Sequence, residues 1–93
     1  MSTPVEHHVE WFQFTLPTDQ TIGPEALRLI WMNACGSTNI SVQRNSRTIL
    51  GRRTPVYSLR ASSRLSGLAL IEARLRGLMQ EARLNSKLTL VSR

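Results

Sequence analysis

The stretch GPEALRLIWMNACG, residues 23–36, decides the fold of this 93-residue chain. It has the features of a complete amphipathic helix. Gly23 suits the position before the first turn, Pro24 suits the first turn itself, and Gly36 suits the stop at the carboxyl end. Apolar residues recur on one side with helical spacing, namely Leu27, Ile30, Trp31 and Ala34. The stretch therefore predicts a helix that buries this side against a second layer.

The segment before this helix has the composition of a strand. Residues 8–16, HVEWFQFTL, are rich in aromatic and β-branched residues. Simple alternation puts Phe12 and Phe14 on one face with Glu10, and Val9 and Trp11 on the other. Apolar residues on both faces predict a strand that is central in its sheet, bulged, or covered by another chain.

Short strands are also predicted after the helix. Residues 38–44 alternate, and Asn45-Ser46 is a candidate two-residue hairpin turn that returns the chain through residues 47–50. Residues 51–55, GRRTP, form a second candidate turn. Residues 56–60 then give a third strand, with Tyr57 and Leu59 on one face.

A second, longer helix is predicted to begin at Ser62 or Ser63 and to reach about Leu84. Its apolar residues repeat at spacings of three and four, namely Leu68, Ile71, Leu75, Leu78 and Ala82. Residues 87–91, KLTLV, alternate and are a candidate last strand.

Together these elements predict an α+β fold of one small domain, residues 8–91, after a flexible leader of residues 1–7. We expect a two-layer sandwich in which two helices cover one face of a three- to four-stranded, mostly antiparallel sheet, in the order β-α-β-β-(β)-α-(β). The other face is expected to be open. The side chains predicted on that open face are Val9, Trp11, Ser41, Gln43 and Ser58.

The order of elements is similar to that of two known families. In bacterial phosphocarrier proteins of the sugar phosphotransferase system, a histidine precedes an Arg-Pro pair at the start of the first helix. The corresponding stretch here is Thr21-Ile22-Gly23-Pro24, which lacks the histidine and the arginine and so excludes phosphocarrier activity. The helix–three strands–helix order from Pro24 to Leu84 resembles that of double-stranded-RNA-binding domains, in element order and not in motif.

Charge is distributed very unevenly along the chain. Residues 1–40 contain four acids and one arginine, a net charge of −3, whereas residues 41–93 contain eleven basic residues and two acids, a net charge of +9. Eleven of the twelve basic residues are arginine, whose planar fork donates paired hydrogen bonds to a phosphate or a carboxylate. Residues 44–64 contain six arginines and no acidic residue, and these arginines are Arg44, Arg47, Arg52, Arg53, Arg60 and Arg64.

Catalytic and metal chemistry have little support in the sequence. The six acids form no recognisable pair, no phosphate-binding glycine loop is present, and Cys35 lies near a helix carboxyl end, where the dipole disfavours a thiolate. His7, His8 and Glu10 are too few for a metal site. We therefore expect no enzyme activity, cofactor or metal.

The surroundings of the protein are constrained by the same sequence. No apolar run approaches the roughly 20 residues that cross a bilayer, so we expect no membrane insertion. One cysteine cannot form an internal disulfide, and residues 1–10 have no signal-peptide core. Both features predict a reducing, cytoplasmic location.

The leading hypothesis is a small nucleic-acid-binding protein, of DNA or RNA, in which the six arginines contact the phosphate backbone. Trp11 and Tyr57 are candidates for stacking on bases, with packing in the core as the alternative for each. The alternative function is a protein-interaction module, either a homodimer or an adaptor or inhibitor that docks on an acidic protein surface. The regular spacing of the second helix could form a dimer seam or pack on its own sheet.

Overall fold

Strands and helices alternate along the chain in the order β-α-β-β-α-β. The computed structural model describes residues 8–91, so the leader predicted for residues 1–7 lies outside the described residues. The six elements are β1 (His8–Thr15), α1 (Pro24–Cys35), β2 (Ile40–Ile49), β3 (Arg52–Ser62), α2 (Leu68–Glu81) and β4 (Lys87–Leu90).

The four strands form one antiparallel sheet in the order β2-β3-β1-β4. β1 and β3 lie in the centre because each helix connects strands that are not neighbours in the sheet, which is the split βαβ arrangement. The predicted α+β class is confirmed, including the antiparallel sheet and the last strand at residues 87–90.

The core lies between one face of the sheet and the two helices. Trp31 of α1 is fully buried, and its ring meets the ring of Phe12 edge to face with centroids 5.7 Å apart. The indole Nε1 of Trp31 donates a hydrogen bond to the Arg60 carbonyl at 2.8 Å, which ties α1 to the middle of the sheet. From α2, the core receives Ile71, Leu75 and Met79.

The limits of α1 follow local chemistry, whereas α2 differs from the prediction at both ends, because it begins at Leu68 and ends at Glu81. α1 ends as expected, because Gly36 adopts the left-handed conformation (φ 67°) and its N–H donates to the Met32 carbonyl at 2.8 Å. α2 is shorter than predicted, since β3 continues to Ser62 and leaves a connection before the helix begins at Leu68. Within residues 8–91, neither helix has the length and apolar character needed to cross a membrane.

One long hairpin replaces the two predicted turns. Asn45 and Ser46 lie inside β2, opposite Val56 and Pro55, so the prediction of a turn there is wrong. The chain turns at Leu50-Gly51 instead, and residues 52–55 belong to β3. Only two strands therefore separate the helices, which removes the likeness in element order to double-stranded-RNA-binding domains.

A bulge in β1 corrects the predicted faces of that strand. The Cα partners pass from Glu10↔Arg60 to Phe12↔Leu59, so Trp11 is an extra residue on β1. Glu10 consequently lies on the open face, and Val9, opposite the buried Ala61, lies on the helix-covered face. The predictions that Glu10 shares a face with Phe12 and that Val9 is on the open face are both wrong.

Candidate nucleic-acid interface

The β2-β3 hairpin extends past the rest of the sheet. Its strands continue for five Cα pairs beyond Tyr57, the last β3 residue that pairs with β1. We call residues 45–56 the arm, which is about 16 Å long at the usual rise per strand residue. The loop of residues 16–21 lies beside its β3 strand, and β2 forms its outer edge. The arm contributes to an elongated shape of 45 × 27 × 25 Å.

Three arginines of the arm are exposed. By register, Arg47 and Arg52 project on the side of the open face, and Arg53 projects on the opposite side. Among residues 8–91, no carboxylate pairs with these guanidinium groups, and the chain has no acidic residue between Glu25 and Glu72. Both sides of the arm are therefore positively charged.

Arg44 lies at the base of the arm and is held by the core. Its guanidinium carbon is 5.9 Å from the centroid of the Tyr57 ring. That distance allows a cation–π interaction, which fixes the side chain while its charged group remains exposed. Arg44 can thus add to the charge of the arm at lower entropic cost than an unsupported arginine.

The other two predicted arginines lie elsewhere. Arg60 is half-buried near the far end of β3, where its Nη2 donates to the His8 carbonyl at 3.2 Å. Arg64 is exposed in the connection that leads to α2. Arg60 is eight residues from Arg52 along β3, a separation of roughly 25 Å. The structure thus gathers Arg44, Arg47, Arg52 and Arg53 around one element and does not bring Arg60 and Arg64 to it.

The two aromatic candidates are packing residues. Trp11 is 5% exposed and its Nε1 donates to the Ser62 carbonyl at 3.0 Å. Tyr57 is 2% exposed, and its ring stacks on Phe14 with centroids 4.8 Å apart. A base cannot stack on a ring that has so little exposed surface, so the structure favours packing in the core as the role of both residues.

The open face of the sheet is polar rather than aromatic. The pairing Ser41↔Arg60 and Gln43↔Ser58 puts Ser41, Gln43 and Ser58 on this face, as predicted. Ser58 is only 1% exposed, however, so the face is not open at its position. Gln13 lies beside Ser58 and donates from Nε2 to the Glu10 carboxylate at 3.2 Å. Stacking platforms for single-stranded bases need exposed aromatic rings. The register puts Phe12, Phe14 and Tyr57 on the other face, and Trp11, which was predicted on the open face, is buried in the core cluster.

Two further residues of the region were not identified from the sequence. Lys87, the first residue of β4, shares a cavity of about 350 Å³ with Ile49 and Thr54 of the arm. Its position depends on the β1–β4 pairing, which the charge pattern could not reveal. Leu50, at the tip of the arm, is 99% exposed. A leucine next to Gly51 in a predicted turn between strands is the only local signal for it.

The Cys35 thiol and the His8 ring are poorly placed for catalysis or metal binding. Burial raises the pKa of the Cys35 thiol to about 12, which keeps it protonated at neutral pH. The His8 ring nitrogens are each 2.9 Å from a neighbouring oxygen, Ser41 Oγ and Asn39 Oδ1. In the described part of the chain, no three His, Cys, Asp or Glu residues form a group that could hold a metal ion.

Comparison with known proteins adds no relative. No family model matches the chain, and no curated protein or solved structure is significantly similar to it. The arm and its charge are therefore the features of the molecule that bear on function.

Proposed function

We propose that this protein binds nucleic acid through the arm, with Arg44, Arg47, Arg52 and Arg53 contacting backbone phosphates. The single observation that carries the proposal is that the three arm arginines are exposed and unpaired with any carboxylate of residues 8–91. A chain with a net charge of +6 that leaves guanidinium groups unpaired on a projecting hairpin is suited to a dense array of negative charges.

The proposed binding is directed at the backbone. Each guanidinium can donate two parallel hydrogen bonds to one phosphate, and each phosphate that is neutralised releases condensed counterions. Such contacts set the orientation of the protein without selecting a sequence. Arg60 and Arg64 would assist only if the nucleic acid also crossed the far end of β3, and we assign them a secondary role. The proposed location is the cytoplasm.

Salt-dependent binding tests this function. The full chain should bind a duplex DNA, a single-stranded DNA or a duplex RNA of mixed sequence at low salt, measured by fluorescence anisotropy. With three to four phosphate contacts, raising salt from about 50 to about 200 mM should weaken binding on the order of 50- to 150-fold. Absence of binding to all three probes at low salt would contradict the proposal.

The second candidate is docking on an acidic protein surface, and it uses the same arginines. The exposed apolar residues Ile49 and Leu50 beside them favour this alternative, since protein interfaces often combine arginine with apolar anchors. Heparin and polyglutamate serve as non-nucleic polyanions in competition. The first function is favoured if unlabelled nucleic acid displaces the labelled duplex at a far lower concentration than either polyanion does.

The features that suggested a homodimer are used within one chain. Ile71, Leu75 and Met79 of α2 are buried in the core, and Trp11 is buried as well. A dimer would therefore need another surface, and sedimentation equilibrium of the free protein tests for one.

A further inference from the structure

Leu50 stands at the tip of the arm against two physical preferences. It is an apolar side chain with 99% of its surface exposed, and it adopts a left-handed backbone conformation with φ 52°. Gly51 follows with φ 77°, so both turn residues have positive φ, as a type I′ hairpin turn requires. Asparagine would satisfy the first of these positions better, because its side chain is polar and it tolerates that conformation.

The residues beside Leu50 indicate the kind of partner that would cover it. Arg52 and Arg53 begin the returning strand, and Ile49, which is 39% exposed, precedes the turn. The tip is therefore an apolar point with positive charge close behind it on both sides of the ribbon. A partner of matching chemistry has an apolar interior that is reached between two lines of negative charge. Duplex DNA has this form, because its stacked bases lie between two phosphate backbones.

We propose that Leu50 is a wedge that enters the minor groove of duplex DNA and inserts between two adjacent base pairs, while the arm arginines contact the flanking phosphates. This inference depends on the proposed nucleic-acid-binding function. Apolar side chains that insert between base steps from the minor groove unstack them and kink the duplex toward the major groove. The energy of unstacking is offset by burial of the exposed leucine and by the additional phosphate contacts that the kink permits.

The geometry favours B-form DNA over duplex RNA. The minor groove of B-DNA is about 6 Å wide, so only the tip of the arm enters it, while the rest of the arm, about 16 Å long, lies across the flanking phosphate backbones. In A-form RNA, the major groove is deep and narrow and the minor groove is wide and shallow. The first of these grooves is too deep and narrow to admit the arm, and the second is too wide and shallow to enclose the Leu50 side chain. Kinking is therefore expected for duplex DNA and not for duplex RNA.

The decisive variant is Leu50→Asn, which removes the wedge and keeps every charge. Because asparagine suits the positive φ, the variant should fold at least as stably as the wild type, which circular dichroism and thermal unfolding check. The probe is a short DNA duplex that carries a fluorophore at each end and 2-aminopurine at its centre. Wild-type protein should shorten the end-to-end distance and raise the 2-aminopurine fluorescence. Leu50→Asn should do neither. It should bind about tenfold more weakly, with a slightly shallower salt dependence because the phosphate contacts that the kink permits are lost.

The outcomes separate the wedge from the binding function. If wild-type protein binds duplex DNA without kinking it, or if Leu50→Asn kinks it equally, the wedge is rejected and backbone binding remains. If wild-type protein binds no nucleic acid, both are rejected. Binding to anionic lipid vesicles that depends on Leu50, without kinking of DNA, would also overturn the proposal. Leu50→Met keeps an apolar side chain and should retain kinking, which excludes a purely structural effect at this position.

Discussion

The guanidinium of Arg44 lies over the ring of Tyr57, with its central carbon 5.9 Å from the ring centroid. Phe14 belongs to β1, on the other side of β3 from Arg44, and its ring stacks on the same Tyr57 ring with centroids 4.8 Å apart. An exposed cation, a buried phenol and a core phenylalanine thus form one row across the sheet. This row joins the base of the arm to the hydrophobic core.

Arg44 is therefore expected to stabilise the fold, unlike the arginines farther along the arm. Arg44→Ala should lower the free energy of unfolding by about 0.5–1 kcal/mol, the usual size of an exposed cation–π interaction. Arg47→Ala, three residues away on the same strand, should change it by less than about 0.5 kcal/mol. Urea unfolding followed by circular dichroism gives both values. Equal effects of the two substitutions would show that the Tyr57 contact contributes nothing.

The hydroxyl of Tyr57 is a buried polar group with no hydrogen-bond partner among the described residues. Tyr57→Phe removes this oxygen and keeps the ring between Arg44 and Phe14. We expect the free energy of unfolding to stay the same or to rise by up to about 1 kcal/mol, because an unsatisfied buried donor is lost.

Trp31→Phe is the matched control for that substitution, since it also removes a polar group from a buried aromatic residue. Here the lost Nε1 donates to the Arg60 carbonyl, and its removal takes this hydrogen bond away from a part-buried acceptor. The variant should lose about 2 kcal/mol or more from hydrogen bonding and packing together. A substantial loss of stability for Tyr57→Phe in the same assay would mean that its hydroxyl has a bonding partner.

Tryptophan fluorescence tests whether bases stack on an indole. Trp11 and Trp31 are both buried, and each Nε1 donates to a backbone carbonyl. Saturating nucleic acid should therefore leave the emission maximum and intensity nearly unchanged, and iodide should quench weakly. Strong quenching by nucleic acid that disappears in Trp11→Phe would restore the stacking role of Trp11.

The thiol of Cys35 should react slowly with alkylating reagents. Burial raises its pKa to about 12, so the reactive thiolate is scarce in the folded protein at neutral pH. At about pH 8, iodoacetamide should modify the native protein more slowly than the urea-unfolded protein, by on the order of a hundredfold.

The same shift has a consequence for stability, with a definite sign. A raised pKa in the folded state means that the unfolded thiol ionises first as pH rises. The thiol should therefore favour folding below its ordinary pKa of 9.0 and lose that effect as pH rises toward about 12. Cys35→Ala should show a smaller decline of stability over this range. Equal alkaline declines in both proteins, or rapid alkylation of the native thiol, would show that Cys35 is not desolvated.

Local chemistry made much of the fold predictable. Pro24 and Gly36 define the ends of α1 through backbone preferences that act within a few residues, and the helix has these limits. The turn was different. Leucine is a poor residue for positive φ, so Leu50-Gly51 carried a weaker turn signal than Asn45-Ser46, which long β pairing kept extended. The alternation of apolar and polar residues also does not reveal a β-bulge such as the one at Trp11. This bulge puts Val9 and Glu10 on the faces opposite to those predicted.

The candidate site was predicted in composition and only partly in position. The absence of acidic residues identified the arginines as a group. Only the strand register could show which of them lie on the arm and which lie elsewhere. It puts Arg47, Arg52 and Arg53 on the arm and Arg60 near the opposite end of β3. Burial of Trp11 and Tyr57 depends on contacts between strands that are distant in sequence, which neither residue type nor spacing could supply.

The most direct test of the arm compares two variants of equal charge. Arg52→Ala with Arg53→Ala removes two arginines from the arm, whereas Arg74→Ala with Arg83→Ala removes two exposed arginines from α2 and the segment after it. Binding to duplex DNA is measured across a salt series for both. The arm variant should bind more weakly, and the slope of log affinity against log salt should fall by about two, while the α2 variant keeps nearly the wild-type slope. Equal losses in both variants, or an unchanged slope in the arm variant, would contradict the account.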